Sequence, residues 1–224
     1  FVINAVSFVA VIASLHLLRL AELQRHALAV RTRGSLLEGF RYVWNRPDLV
    51  AILSMLFLIA TFGLNFPIFV SMMSVTVFHG GPGQYGVLIS TMAVGSVTGA
   101  LLSARRAQPR LAQLLVSAIA FSVSMLVAAL MPNAVLFGLV LIVVGMSAQT
   151  FMTTSNSLVQ LSTEPAMRGR VLAILLALAL GGTPLGAPIV GWVADAFGAR
   201  WSLGIGVVAG AAALLVGLRY LVRH

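Results

Sequence analysis

Between Arg170 and Asp195 the chain runs for 24 residues without a charged side chain. A helix advances ~1.5 Å per residue and a bilayer core is ~30 Å thick, so this run is long enough to cross a membrane. Its interior is costly for a helix in water. Gly181, Gly182, Pro184, Gly186, Pro188 and Gly191 fall within eleven residues, where each Gly costs up to ~1 kcal/mol and an interior Pro ~3 kcal/mol. In lipid the same composition has a use. Small residues let a second backbone approach, and neighbouring helices satisfy the carbonyls that proline leaves free. The stretch therefore predicts a bent membrane helix, tightly packed through Gly182, Pro184, Gly186, Pro188 and Gly191.

Five further apolar runs accompany it, and the six spans are about 49–78, 84–104, 111–130, 134–161, 171–194 and 201–221. Of 224 residues, 60% are hydrophobic and 8% charged, with a mean hydropathy of +1.04. Soluble domains carry ~25% charged residues, so a water-soluble core is excluded and an all-α membrane bundle of six helices is expected. Residues 1–18 read as the end of a preceding membrane helix, with His16 at the interface. Residues 19–48 read as a basic, amphipathic linker. In that linker Ser35 and Glu38 give a capping-box start, and Leu36, Leu37, Phe40, Val43 and Trp44 form one apolar stripe before Pro47. Such a helix lies in the membrane interface. Because Phe1 opens inside an apolar run, the chain reads as part of a longer protein.

Charge fixes the expected topology. All 14 basic residues are arginine. With the linker inside, the turns at 105–110 and 162–170 and the C-terminal tail fall inside too, leaving only Arg200 outside. The positive-inside bias selects that orientation: cytoplasmic linker and C-terminus, multi-pass in the plasma (inner) membrane. The formal charge of +9 is thus explained by topology, and a nucleic-acid partner is not expected. The bilayer is the first partner.

Two spans carry polar faces. Gln149, Thr153, Asn156 and Gln160 recur at four, three and four residues, which places them within about 60° on one helix face. Ser54, Thr61 and Asn65 share a face of the first span, beside a possible kink at Pro67. Amides facing lipid tails are expensive, so both faces must meet protein or water. They are candidates for the walls of a substrate cavity; the alternative is hydrogen bonding between helices. No ionisable side chain lies deep in any of the six spans. Asp195, at a helix end where a carboxylate opposes the dipole, is expected to pair with Arg200 or with a neighbouring helix end.

Arg168-Gly169-Arg170-Val171, then G-x-P-L-G-x-P, then Gly191, Asp195, Gly198 and Arg200 together resemble helix eleven of a major facilitator superfamily transporter. The likeness is greatest to the drug- and siderophore-efflux branch that includes the enterobactin exporters. The resemblance implies the C-terminal six-helix half of such a transporter, with spans one and four as the cavity-lining seventh and tenth helices. An N-terminal six-helix half is then the missing partner. The implied activity is export of a small amphipathic molecule by alternating access, driven by protons. Where the family's loop between helices eight and nine has an Asp, this chain has Ser103, followed by Arg105 and Arg106. These arginines, with Arg168 and Arg170, are read as cytoplasmic gate or topology residues. The order of helix types also fits a three-plus-three inverted repeat.

Enzyme activity is not expected. The four histidines are scattered, cysteine is absent, and neither HExxH nor GxSxG occurs. No catalytic residue, metal site or cofactor is assigned. A non-transporting membrane scaffold or truncated remnant is the remaining rival reading.

Overall fold

The computed structural model describes residues 8, 9, 11–14, 17, 35–105 and 108–223. It divides into two units, Phe1–Arg33 and Gly34–His224. In the first, residues 8, 9 and 11–14 are helical. His16, the arginines of 19–33, Arg106 and His224 lie outside the described residues.

The second unit is all-α among the described residues. A short helix α1 (Ser35–Trp44) precedes six helices long and apolar enough to cross a membrane. Helix α1 ends before Pro47, and Arg46, the residue preceding the proline, is extended. Pro47 occupies the first turn of the next helix, where its missing N–H costs nothing. The first span, Pro47–Val77, is interrupted. Helix α2 (Pro47–Leu58) runs into a π-helical turn (Ile59–Gly63), and Leu64 and Asn65 are non-helical. Helix α3 (Phe66–Met72) and a second π-helical turn (Met73–Val77) complete it. The other spans are unbroken: α4 (Pro82–Ala104), α5 (Leu111–Leu130), α6 (Ala134–Ser162), α7 (Arg168–Phe197) and α8 (Ala199–Arg223). Helix α7 passes through both Pro184 and Pro188.

Turns between spans are short, and their residues explain why. Asn133 caps α6 by accepting from the Leu136 N–H at 2.9 Å. Gly198, at φ 98°, takes a conformation open to glycine that lets α7 turn directly into α8.

The main helix pairs are α4 with α6, α5 with α8, α5 with α6, α7 with the first span, and α8 with the first span. Exchanging the first three spans with the last three maps α4–α6 onto α7–first span. It maps α5–α6 onto α8–first span and leaves α5–α8 on itself. The packing therefore has the pairing of a three-plus-three repeat. Between the helices sit fully buried Phe69, Phe121, Phe137 and Phe151. Phe66 meets Phe121 edge-on with centroids 6.4 Å apart.

Candidate functional site

The Gly182–Gly186 pair faces the interrupted part of the first span. A Cβ added at Gly186 would collide with the Thr61 carbonyl, and one at Gly182 would lie 2.6 Å from Thr61 Oγ1. Only glycine allows this approach. Other members of the expected packing set do not take part within this unit. Pro184 and Pro188 are exposed, and a Cβ at Gly191 would meet nothing within 4 Å. The reason is angular. Gly182 and Gly186 are one four-residue step apart on one face, whereas Pro184, Pro188 and Gly191 are rotated away from it.

Thr61 and Asn65 are buried at this crossing, 2% and 1% exposed. Within the described unit they face Gly182 and Gly186 of α7. Asn65 Nδ2 donates to the Thr61 carbonyl at 2.7 Å, replacing a helical bond lost at the interruption. Thr61 Oγ1 and Asn65 Oδ1 are buried with no hydrogen-bond partner. Ser54 is half-buried further along α2.

The polar residues of α6 are half-buried and pair along their own helix. Gln149 Nε2 donates to Thr153 Oγ1 at 3.3 Å, and Gln160 Nε2 donates to Asn156 Oδ1 at 2.6 Å. No hydrogen bond joins these four to another helix among the described residues. They therefore do not act as interhelical glue in this unit. Of the four, Thr153 lines a cavity of about 40 Å³, with Ser103, Pro109, Gln113, Thr154 and Ser157. That space suits a water or two, not a drug-sized molecule. Ser103 Oγ donates to the Gly99 carbonyl at 2.8 Å; being a neutral hydroxyl, it does not supply the charge of the family's Asp.

Where α1 meets the turn between α6 and α7, a polar cluster forms. Gly39 lets α1 approach α7; a Cβ there would lie 3.2 Å from Arg170 Cβ. Arg170 Nη1 pairs with Glu38 Oε2 at 2.8 Å, joining α1 to the start of α7. Arg46 forks onto Asp48 through Nε and Nη2 at 3.0 and 2.9 Å, and Nη2 also donates to the Ser162 carbonyl at 3.0 Å. The hydrogen bond to Asp48 pushes the Arg46 pKa above its ordinary value, fixing it as a cation. Tyr42 Oη accepts from the Glu164 N–H at 3.3 Å. The stripe Leu37, Phe40 and Trp44 is exposed while Val43 is buried, so α1 presents apolar side chains outward. Arg105 and Arg168 are exposed.

At the opposite end, the expected Asp195–Arg200 pair does not form among the described residues. Arg200 Nη2 donates instead to the Met131 carbonyl at 3.2 Å, the negative end of α5. The turn at Gly198 swings Arg200 toward α5 and leaves Asp195 exposed on α7.

Sequence reasoning missed the other glycine crossing. A Cβ at Gly95 would collide with the Ile142 carbonyl, one at Gly99 would lie 2.5 Å from the Met146 carbonyl, and one at Gly145 would collide with the Met92 carbonyl. The signal was present in Gly95 and Gly99, four residues apart like Gly182 and Gly186. Nothing local marked the contacts of Arg46 with the Ser162 carbonyl and of Tyr42 with the Glu164 N–H, each more than a hundred residues away.

Six membrane-length helices joined by short turns and close glycine crossings make this a multi-pass membrane protein. The chain belongs to the major facilitator family described as Transmembrane secretion effector, whose model matches residues 1–224. It is 30% identical over 178 residues to the multidrug efflux pump Tap of Mycolicibacterium fortuitum, covering 78% of this chain and 43% of that protein. The chain thus spans less than half the length of this relative. No solved structure matches it.

Proposed function

We propose that this chain is the C-terminal six-helix half of an efflux permease, with the end of helix six at 1–18 and an interdomain linker at 19–48. The permease exports a small amphipathic molecule, drug-like or siderophore-like, by alternating access coupled to protons. It sits in the plasma membrane with the linker and C-terminus cytoplasmic, and its N-terminal half supplies the opposite cavity wall. The observation that carries this reading is the α6 ladder of Gln149, Thr153, Asn156 and Gln160. Its amides bond only along their own helix, which leaves further donors and acceptors for a ligand or water. The relative's name, multidrug efflux pump, supports the substrate class. The exposed faces of α4 and α7, including Val94, Val97, Leu101, Leu180 and Leu185, suit an apolar second half.

In this mechanism the two halves rock about a midplane site. The Asn65 break lets the first span bend, and α1 ties the linker to the α6–α7 turn through Glu38 and Arg170. No deep carboxylate is available in spans one to six, so the proton-carrying group belongs to the other half.

The test is export of several chemically distinct drugs by the full-length protein, normalised to protein level, with Asn156→Leu beside the unsubstituted protein. A changed substrate profile at normal abundance is expected, with affinity changes of several-fold for loss of ~1 kcal/mol. A uniform fall that tracks abundance contradicts a cavity role. In the same cells, a cysteine at Asn133 should react with an impermeant thiol reagent and one at Gln108 should not; the reverse pattern inverts the topology.

A further inference from the structure

An apolar groove of about 730 Å³ opens on the surface where α5, α7 and α8 meet, lined by Leu126, Val193, Phe197, Trp201, Gly204 and Val208 among others. Every lining residue is apolar, so the groove offers nothing to fix the orientation of a polar substrate. The charged residue beside it on α8 lies outside that lining. On α8, Arg200 is four residues before Gly204, one turn above it on the same face. One guanidinium nitrogen is held by the Met131 carbonyl at 3.2 Å, and the side chain is exposed. Asp195, the acidic residue near this turn, is two residues from both Val193 and Phe197 on α7. That offset puts it on the opposite face of the helix, away from the groove. Trp192 packs edge-on against Phe197 at 5.8 Å, adding an aromatic rim suited to the interface between acyl chains and headgroups.

We propose that this groove is a binding site for an anionic phospholipid, with one acyl chain along the groove and the headgroup phosphate at Arg200. The charge match chooses the occupant: a cation, an aromatic rim and a long apolar trough repeat the order of phosphate, interface and acyl chain.

Trp201 lines the groove and reports on it directly. The full-length protein, with every other tryptophan replaced by phenylalanine, is placed in nanodiscs of phosphatidylcholine containing small fractions of brominated phosphatidylglycerol or brominated phosphatidylcholine. Bromine quenches Trp201 on contact. Phosphatidylglycerol should quench at about fivefold lower fraction, the selectivity expected from one arginine near the surface. Arg200→Gln should remove the preference. Gly204→Leu adds a side chain where a Cβ meets nothing within 4 Å, so it should fill the groove and weaken quenching by both lipids. A parallel protein keeping only Trp44, at α1, should show no change on Arg200→Gln, establishing that the fold survives. Equal quenching by the two lipids overturns the proposal, as does a preference that survives Arg200→Gln. Undiminished quenching in Gly204→Leu overturns it independently.

Discussion

The α4–α6 crossing and the crossing of α7 on the first span occupy equivalent places under the three-plus-three exchange, yet they are built differently. At α4–α6 the glycines are reciprocal: Gly95 and Gly99 approach Ile142 and Met146, while Gly145 approaches Met92. Both helices are unbroken. Ser96 Oγ lies 3.2 Å from the Met92 carbonyl and 3.4 Å from the Gly145 carbonyl, so its hydroxyl is satisfied at the contact. At the other crossing the glycines come from α7 alone. Opposite them the first span is interrupted, and Thr61 Oγ1 and Asn65 Oδ1 lack partners. A buried unsatisfied oxygen costs ~1–3 kcal/mol, so this contact gains from rearrangement or hydration, whereas the α4–α6 contact only loses. One spacing of glycines thus serves a rigid joint in one place and a yielding one in the other.

The largest effect expected from this comparison is at the rigid joint. Gly95→Leu forces a side chain into the Ile142 main chain, at or above the upper end of the ~1–3 kcal/mol typical of overpacking. Its melting temperature in detergent should fall well below that of Gly86→Leu, where a Cβ meets nothing within 4 Å. Similar melting temperatures for the two variants would mean that α4 and α6 are not in close contact.

Gly186→Leu should come second. Its Cβ also collides with a carbonyl, that of Thr61, but the facing segment is already broken and can give. Leu180→Phe, on an exposed position of α7, should be nearly neutral. If Gly186→Leu destabilises more than Gly95→Leu, the assignment of rigid and yielding joints is reversed.

Smallest is Asn65→Leu. It removes a 2.7 Å hydrogen bond and orphans the Thr61 carbonyl, a loss of ~1–3 kcal/mol, but also removes an unsatisfied oxygen costing a similar amount. The net change in thermal stability should be under ~1 kcal/mol, while export by the full-length protein changes. A loss of stability as large as that of Gly186→Leu would make Asn65 a structural fastener and leave the yielding joint without support.

Much of this architecture was legible in the chain. The six spans were readable because a helix in lipid must satisfy its own backbone, so long uncharged runs leave few alternatives. The spacing of Gly182 and Gly186 marked a close helix contact, but not its partner. The polar face of α6 was equally readable from its four-three-four spacing, because that helix is regular. On the first span the same wheel arithmetic grouped Ser54, Thr61 and Asn65, but it assumed a regular helix. The π-helical turn and the break at Leu64 and Asn65 change the rotation per residue, and Thr61 and Asn65 end against glycines.

The sequence by itself determined the membrane class, the number and limits of the spans and the distribution of arginines, because these follow from local hydropathy and charge. Only the tertiary structure decided which glycines touch a neighbour, since Gly191 has the same local chemistry as Gly186 but faces open space. It also decided the partners of the charges. Arg200 turned to the Met131 carbonyl instead of Asp195, and Arg170 reached Glu38 in the linker helix. Partner choice depends on which helix ends the fold brings within hydrogen-bonding distance. That distance is a property of packing between helices, which no local pattern encodes.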